Sequence, residues 1–364
     1  MLYLAYMGLD LFEIGIMESV YHVTSFTMEV PTGAIADIYG RKTSRILGRL
    51  VSVISVIVMI FSKSPIGFAI SFMFSALSNN LESGAGDALI YDSMKEDGKE
   101  AEYMKVKGRE EIFVQVADTL SLILGGYLAT INYGLVYKMA AIIGIITLLQ
   151  TLSFMEPTIG KVKREDKLMK TFVNQLTASF KVIKTDKRIA YFILASELFG
   201  ILATTSFFYI QNYLKSFGRT EFSIGAVLAI GGLISAVFSA NAHFLEKRYQ
   251  FKGLMTGICL LAIPAFFALQ LKATIEIGIV VIMALECVSF VVINDHINKL
   301  IPSEQRATIL SFRSMVFSFF MILLFPVIGK IGDIFGLMNA FRIIAVLATI
   351  VLLGIIFSVR RNKL

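Results

Sequence analysis

An all-α integral membrane fold, two helical bundles with about eleven spanning helices, is predicted by three features of this chain. Mean hydropathy is +0.74. Apolar runs near the ~20 residues that a bilayer-spanning helix needs recur from end to end. Lysine and arginine crowd into every second interval between those runs, as they do on the cytoplasmic side of a membrane. With 56% hydrophobic and 17% charged residues, the chain is too apolar for a soluble domain to bury.

The first five spans are read at Glu13 to Ala36, Ser44 to Ser62, Pro65 to Asp87, Glu111 to Thr130 and Gly134 to Met155. Six more follow at Ile189 to Asn212, Phe222 to His243, Gly253 to Leu271, Ile275 to His296, Thr308 to Gly329 and Leu337 to Ser358. The long polar interval between the sets divides the chain into an N-terminal bundle (1–155), a connector (156–188) and a C-terminal bundle (189–364). Within the connector, Phe172, Leu176, Phe180 and Ile183 recur every three or four residues, the pattern of a helix lying along a membrane surface; a solvated linker helix fits equally well.

Alternate intervals hold 27 of the 34 lysines and arginines, among them Arg41, Arg49, Lys107, Lys247, Lys299 and Arg313. That side is expected to be cytoplasmic, together with the C-terminus. The net charge of +7 is then a matter of topology. Its bases are dispersed over short loops, and nucleic acid is not an expected partner.

Cys259 and Cys287 lie inside apolar spans without a CxxC spacing, and the three histidines are far apart. A disulfide, a metal site and a Ser/His/Asp triad are all unsupported. No phosphate-cradling GxxxxGK[ST] loop is present, which argues against ATP hydrolysis in this chain. Neither an enzyme nor a cofactor is expected.

Between the first two spans stands Gly33-Ala34-Ile35-Ala36-Asp37-Ile38-Tyr39-Gly40-Arg41-Lys42. This decapeptide resembles the loop motif of the major facilitator superfamily of secondary transporters. Ser83 to Ser93 and Asn298 to Thr308 resemble segments of its bacterial drug-efflux-type members. The resemblance implies the major facilitator fold, with substrate between the bundles near the midplane. It also implies a conformational switch in which Gly33 and Gly40 admit close backbone approach and Lys42 closes the motif. Asp37 would face the helix start near Thr308 to Arg313, and Arg41 would pair with Asp92 or, second, Asp87. An ordinary tight turn with basic topology determinants is the plain alternative. The second copy of the motif, His243 to Lys252, keeps Glu246, Lys247 and Arg248 but no glycine.

The family pattern has six helices per half, and here the first half is one short. Leu2 to Met7 resembles the outer end of a first helix but cannot cross about 30 Å at 1.5 Å per residue. A late chain start and a genuine eleven-span protein with its N-terminus outside both fit. Two other family features are missing: an arginine in the span from Pro65 to Asp87, and a Gly-Pro pair after Gly125-Gly126.

Ionisable residues inside spans are costly and usually functional. Glu18, His22, Ser25 and Glu29 share one helical face, as do Glu111, Gln115 and Asp118, and Ser75, Asn79 and Glu82. Glu197 and Glu286 stand nearly alone near mid-span. Asp118, Glu197 and Glu286 are the preferred proton-coupling residues, with Glu18, His22 and Gln115 as further cavity groups; for each, an interhelical hydrogen bond is the alternative. Glu29 and Glu82, near the cytoplasmic ends, are gate or loop partners.

The expected function is proton-coupled export of hydrophobic or cationic compounds by alternating access. Import of a small polar solute is the alternative, and a non-transporting sensor or scaffold, or an inactive fragment, comes from outside the transporter class. The expected partners are a small-molecule substrate, protons and the lipid bilayer. The expected form is a monomer in a bacterial inner membrane.

Overall fold

The computed structural model describes residues 1–158, 187–301 and 306–361. The connector positions Phe172, Leu176, Phe180 and Ile183 lie outside the described residues.

Each of the eleven expected spans is a long helix. After the short α1 (Leu2–Tyr6) come α2 (Leu11–Tyr39), α3 (Arg41–Phe61), α4 (Pro65–Glu96), α5 (Tyr103–Ile131) and α6 (Tyr133–Leu152). The second half contributes α7 (Lys187–Ser216), α8 (Glu221–Ala240), α9 (Ala242–Ala268), α10 (Ile275–Leu300), α11 (Arg306–Phe335) and α12 (Leu337–Arg360). Among the described residues, nine helices are long and apolar enough to cross a membrane. The long helices outside that nine, α2 and α4, carry the polar stripes of Glu18, His22 and Glu29 and of Asn79, Asn80 and Glu82.

Local chemistry sets several helix starts. The Ser64 hydroxyl accepts from Gly67 N–H ahead of Pro65, Asn132 caps α6 through Gly134 N–H, and Thr220 caps α8 through Ser223 N–H. At α2, Asp10 and Glu13 form a reciprocal capping box, each accepting from the other's backbone N–H at 2.7 and 3.0 Å.

Two compact units result. Unit 1 gathers Met1–Gly15, Ala117–Thr130 and Leu176–Leu364; unit 2 gathers Ile16–Val116 and Ile131–Gln175. The split therefore runs through α2 and α5, where the sequence groups all of residues 1–155 together. Short side chains account for the first of these segments: Gly15 of α2 lies directly against the Phe325 and Pro326 backbone of α11, where a Cβ would come within 2.9 Å of three backbone atoms.

Unit 1 has a dense core. Phe199, Tyr209, Phe266, Phe325 and Phe341 are fully buried, and the Tyr213 and Phe341 rings stack at 5.1 Å. In unit 2, α3 and α4 form a hairpin sealed by small polar residues. The Ser55 and Ser71 hydroxyls each donate to the other's carbonyl, at 2.8 and 2.9 Å, and Ser44 donates to Leu81 O at 2.8 Å. Such exchanges hold helices together where hydrocarbon offers no other partner.

Candidate substrate and switch sites

The decapeptide is not a loop. α2 continues through Tyr39, and only Gly40, at φ 103°, turns the chain into α3. Gly40 is required twice over: its φ suits glycine alone among common residues, and a Cβ there would stand 2.6 Å from the Glu156 carboxylate. That carboxylate caps α3, accepting from the N–H of Arg41 and of Lys42 at 2.7 Å each, at the helix end where negative charge is favoured. Gly33 is exposed, with open space where a Cβ would stand; the close approach expected of it is found at Gly40 instead.

Arg41 pairs with Asp37 at 2.7 Å and with Asp92 at 3.7 Å. Of the two acids expected for it, Asp87 is occupied elsewhere, by Lys107 at 2.7 Å. Lys107 also holds Glu110. One turn further along α3, Arg45 and then Arg49 reach Glu82 at 3.5 and 3.0 Å. Arginines at 41, 45 and 49 thus line one face of α3 and meet acids of α2 and α4.

The degenerate second copy keeps the turn without the glycine. Gln250 sits at φ 57°, ψ 162° inside α9, sharing a positive φ and an extended ψ with Gly40 at φ 103°, ψ 157°. Two of the three flanking residues match, Tyr39 with Tyr249 and Lys42 with Lys252, while Phe251 stands where the first copy has Arg41. Beside this turn Glu246 pairs with His296 of α10 at 2.7 Å, and the imidazole stacks on Phe192 and lies against Phe251.

Inside unit 1, Glu197 is not alone. Arg313, which the sequence assigns to the cytoplasmic bases, is 5% exposed on α11. Its Nε donates to Glu197 Oε1 at 2.9 Å, and Nη2 forms an ion pair with the same oxygen at 2.8 Å; Nη1 donates to Asn294 Oδ1 at 2.8 Å and Nη2 to Ser196 Oγ at 3.1 Å. The guanidinium lies 5.1 Å from the Phe290 ring centroid, a favourable cation–π distance. The cause of the misassignment is the position of Arg313, two turns after Arg306, near the edge of an apolar run. Glu286 of α10 packs against Gly200, one turn beyond Glu197 on α7, and lies within electrostatic range of Glu197. Two carboxyls and one guanidinium therefore share a membrane-embedded cluster.

Asp118 is not buried with them; it is exposed on α5. Gln115, half-buried one turn earlier, donates to Glu111 at 3.3 Å. In unit 2, Glu18 and His22 are both 8% exposed on α2. The polar stripes of α2 and α4 meet there: Asn79 donates to Tyr21 Oη at 2.9 Å, and Ser25 and Asn80 exchange hydrogen bonds at 2.9 and 2.7 Å. No group of three His, Cys, Asp or Glu side chains among the described residues could hold a metal ion.

Comparison with known proteins agrees with this architecture. The family model of the Major Facilitator Superfamily matches residues 1–294. The chain is 25% identical over 371 residues to an uncharacterized MFS-type transporter, YxaM, of Bacillus subtilis (strain 168), covering 100% of this chain and 92% of YxaM. It is 24% identical over 328 residues to an uncharacterized transporter of Rickettsia felis, covering 87% and 75% of the two chains. Among solved structures, the nucleoside transporter NupG superposes with a TM-score of 0.80 at 15% identity, over 98% of this chain and 92% of NupG. A POT family transporter in complex with 5-aminolevulinic acid gives 0.76 at 15% identity, over 98% and 89%. On its helices, its Gly40 turn and the match of the family model over most of its length, this chain belongs to the Major Facilitator Superfamily of membrane transporters.

Proposed function

We propose that this transporter is proton-coupled and exports cationic or hydrophobic compounds from a bacterial cell. The observation that carries the reading is the unbalanced cluster of Glu197, Glu286 and Arg313. One guanidinium offsets one carboxylate; the second carboxyl must either hold a proton or face a cation. Exchange of the two at Glu286 couples proton entry to substrate exit by linkage, because each disfavours the other. Glu18 and His22 supply a second buried polar group on α2, and Asp118 an exposed acid on α5. In the alternating-access cycle, the Asp37–Arg41–Asp92 contacts make and break as the cytoplasmic end closes and opens. The motif turn and the C-terminus lie in the cytoplasm on this reading, following the bias of basic residues, and the chain works as a monomer.

Import of a polar solute is the second reading, favoured by Asn294 and Ser196 beside Arg313. The names of the solved relatives, a nucleoside transporter and a POT family transporter, lean the same way.

The test is movement of a cationic dye into inverted vesicles with and without a proton gradient. Export coupled to protons gives gradient-dependent accumulation that Glu286→Gln abolishes. Accumulation indifferent to the gradient, or unchanged in Glu286→Gln, overturns the coupling; gradient-driven movement in the opposite direction selects import.

A further inference from the structure

Three membrane-crossing helices of unit 1 leave a groove between them. Leu198 and Leu202 of α7, Leu324 and Val327 of α11, and Leu347 and Val351 of α12 are among its walls; every lining side chain is apolar, and the volume is about 300 Å³. The groove opens sideways, where the Val327 and Leu347 side chains are exposed. Walls of this kind cannot orient a polar solute, and midway along a spanning helix the surroundings are hydrocarbon. Whatever fills the groove is therefore apolar or carries an apolar tail.

The ends of the flanking helices narrow the choice. α7 and α12 run antiparallel: the Tyr213 and Phe341 rings stack toward one end of the pair, and toward the other the Tyr191 hydroxyl donates to Gly354 O at 3.1 Å. Beyond that hydrogen bond stand Arg188 on α7 and Arg360 and Arg361 on α12, all exposed. Arg188 and Arg360 are the first and last residues of their membrane-crossing stretches, and the Arg361 guanidinium lies 4.6 Å from the Phe357 ring centroid, against the helix surface. One end of the seam thus presents three bases at the edge of the bilayer. Leu198 follows Arg188 by ten residues and Val351 precedes Arg360 by nine, about 14–15 Å at 1.5 Å per residue and close to half of the ~30 Å hydrocarbon core. Leu347, Gly354 and Arg361 recur every seven residues along one line of α12. At Gly354, between groove and bases, there is open space where a Cβ would stand.

We propose that this seam binds one anionic phospholipid, with the headgroup phosphate among Arg188, Arg360 and Arg361 and one acyl chain running past Gly354 into the groove between α7, α11 and α12. The charges supply what a bare apolar groove lacks, a means of choosing its occupant. Hydrocarbon exerts no hydrophobic force that would draw a tail in. A tail that fills the groove gains dispersion contacts with walls that otherwise face a void, and its anionic head gains about a fivefold preference for each arginine near the surface. A detached hydrophobic compound would use the walls but not the bases, and a free phosphate the bases but not the walls. The match between the length of the seam and half the bilayer favours the molecule that has both. On the orientation proposed above, it is drawn from the cytoplasmic leaflet. The proposal rests on the chain crossing a membrane, and not on its substrate, coupling ion or direction of transport.

The chain contains no tryptophan, so a single introduced one reports alone. Leu347→Trp on α12 and Val327→Trp on α11 probe opposite walls of the groove in separate chains, which guards against a reporter that disturbs its own helix. Leu261→Trp, at an exposed position of α9 outside the groove, is the reference. Each full chain is reconstituted into phosphatidylcholine vesicles in which brominated acyl chains are carried either by phosphatidylglycerol or by phosphatidylcholine, and fluorescence quenching gives the relative binding of the two lipids. Both groove reporters should prefer the brominated phosphatidylglycerol by about fivefold or more over the reference, and Arg188→Gln, Arg360→Gln and Arg361→Gln together should remove that preference. Equal quenching by the two lipids in the groove overturns the site. So does an equal preference at Leu261→Trp, which would mean general enrichment of anionic lipid around the protein, or a preference that survives loss of the three arginines. Quenching at Leu261→Trp but at neither groove position also overturns it, since the groove would then hold something other than a lipid chain. No substrate enters the measurement, so it fails separately from dye transport.

Discussion

Arg313→Met removes the guanidinium from the cluster while keeping much of the side chain's length. At 2.8 Å and an effective dielectric constant of about 20, the Arg313–Glu197 attraction is roughly 6 kcal/mol before desolvation is counted. Both side chains are under a tenth exposed, so solvent screening is slight. Removing one partner of such a buried pair costs about 3–5 kcal/mol, because the other charge is left uncompensated. The upper part of that range applies here, since Asn294 and Ser196 lose their donor at the same time. At about 2–4 °C per kcal/mol for a unit of this size, the midpoint of thermal unfolding in detergent should fall by roughly 8–20 °C. Adding Glu197→Gln removes the stranded charge, so the double variant should recover to within about 2 kcal/mol of the parent. The assay is the full double-mutant cycle followed by thermal unfolding. Additive losses, with the double variant less stable than either single one, would refute the pairing argument.

Two further predictions concern the paired turns. Gly40→Ala combines a positive φ with a Cβ 2.6 Å from the Glu156 carboxylate, and should cost about 1–3 kcal/mol on backbone grounds alone. In a Glu156→Ala chain, which has already lost the cap on α3, Gly40→Ala should cost only the backbone part, a difference that the double-mutant cycle followed by thermal unfolding resolves. Gln250→Gly should stabilise by about 1 kcal/mol, because glycine adopts the φ of 57° without strain; a fall in the unfolding midpoint would show that the Gln250 side chain makes a contact worth more than the strain.

Hydropathy alone was enough to place the spans, since a helix crossing hydrocarbon has to be apolar along its length and each long run became one helix. Helix ends proved longer than the apolar runs, as at α4, which continues past Asp87 to Glu96, because polar residues extend a helix into water without marking where the bilayer stops. The Arg41–Asp92 pair was legible through the motif. Glu156 was not, although it is the first charged residue after the apolar run of α6; nothing in local spacing says that its carboxylate turns back 115 residues to cap α3. Arg313 was missed for the same reason. A charged residue near the end of an apolar run reads as a loop residue until tertiary structure supplies its partner. The second copy keeps no glycine, yet Gln250 holds a positive-φ turn there all the same.

The α3–α4 hairpin bears on how the chain is made. Its seals join residues close in sequence, 16 apart for Ser55 and Ser71 and 37 apart for Ser44 and Leu81, and contacts this local form fast. Its charges are partly matched within it, Arg45 and Arg49 sharing Glu82. During synthesis the hairpin can therefore assemble before α5 has left the ribosome and enter the bilayer with its seals formed and Glu82 already between Arg45 and Arg49. Glu156 arrives about 60 residues after α4 ends, so the cap on α3 closes late. The order of assembly thus fixes the Gly40 turn after the hairpin beside it, and a substitution there should appear as slow maturation of a chain whose first hairpin is already sound.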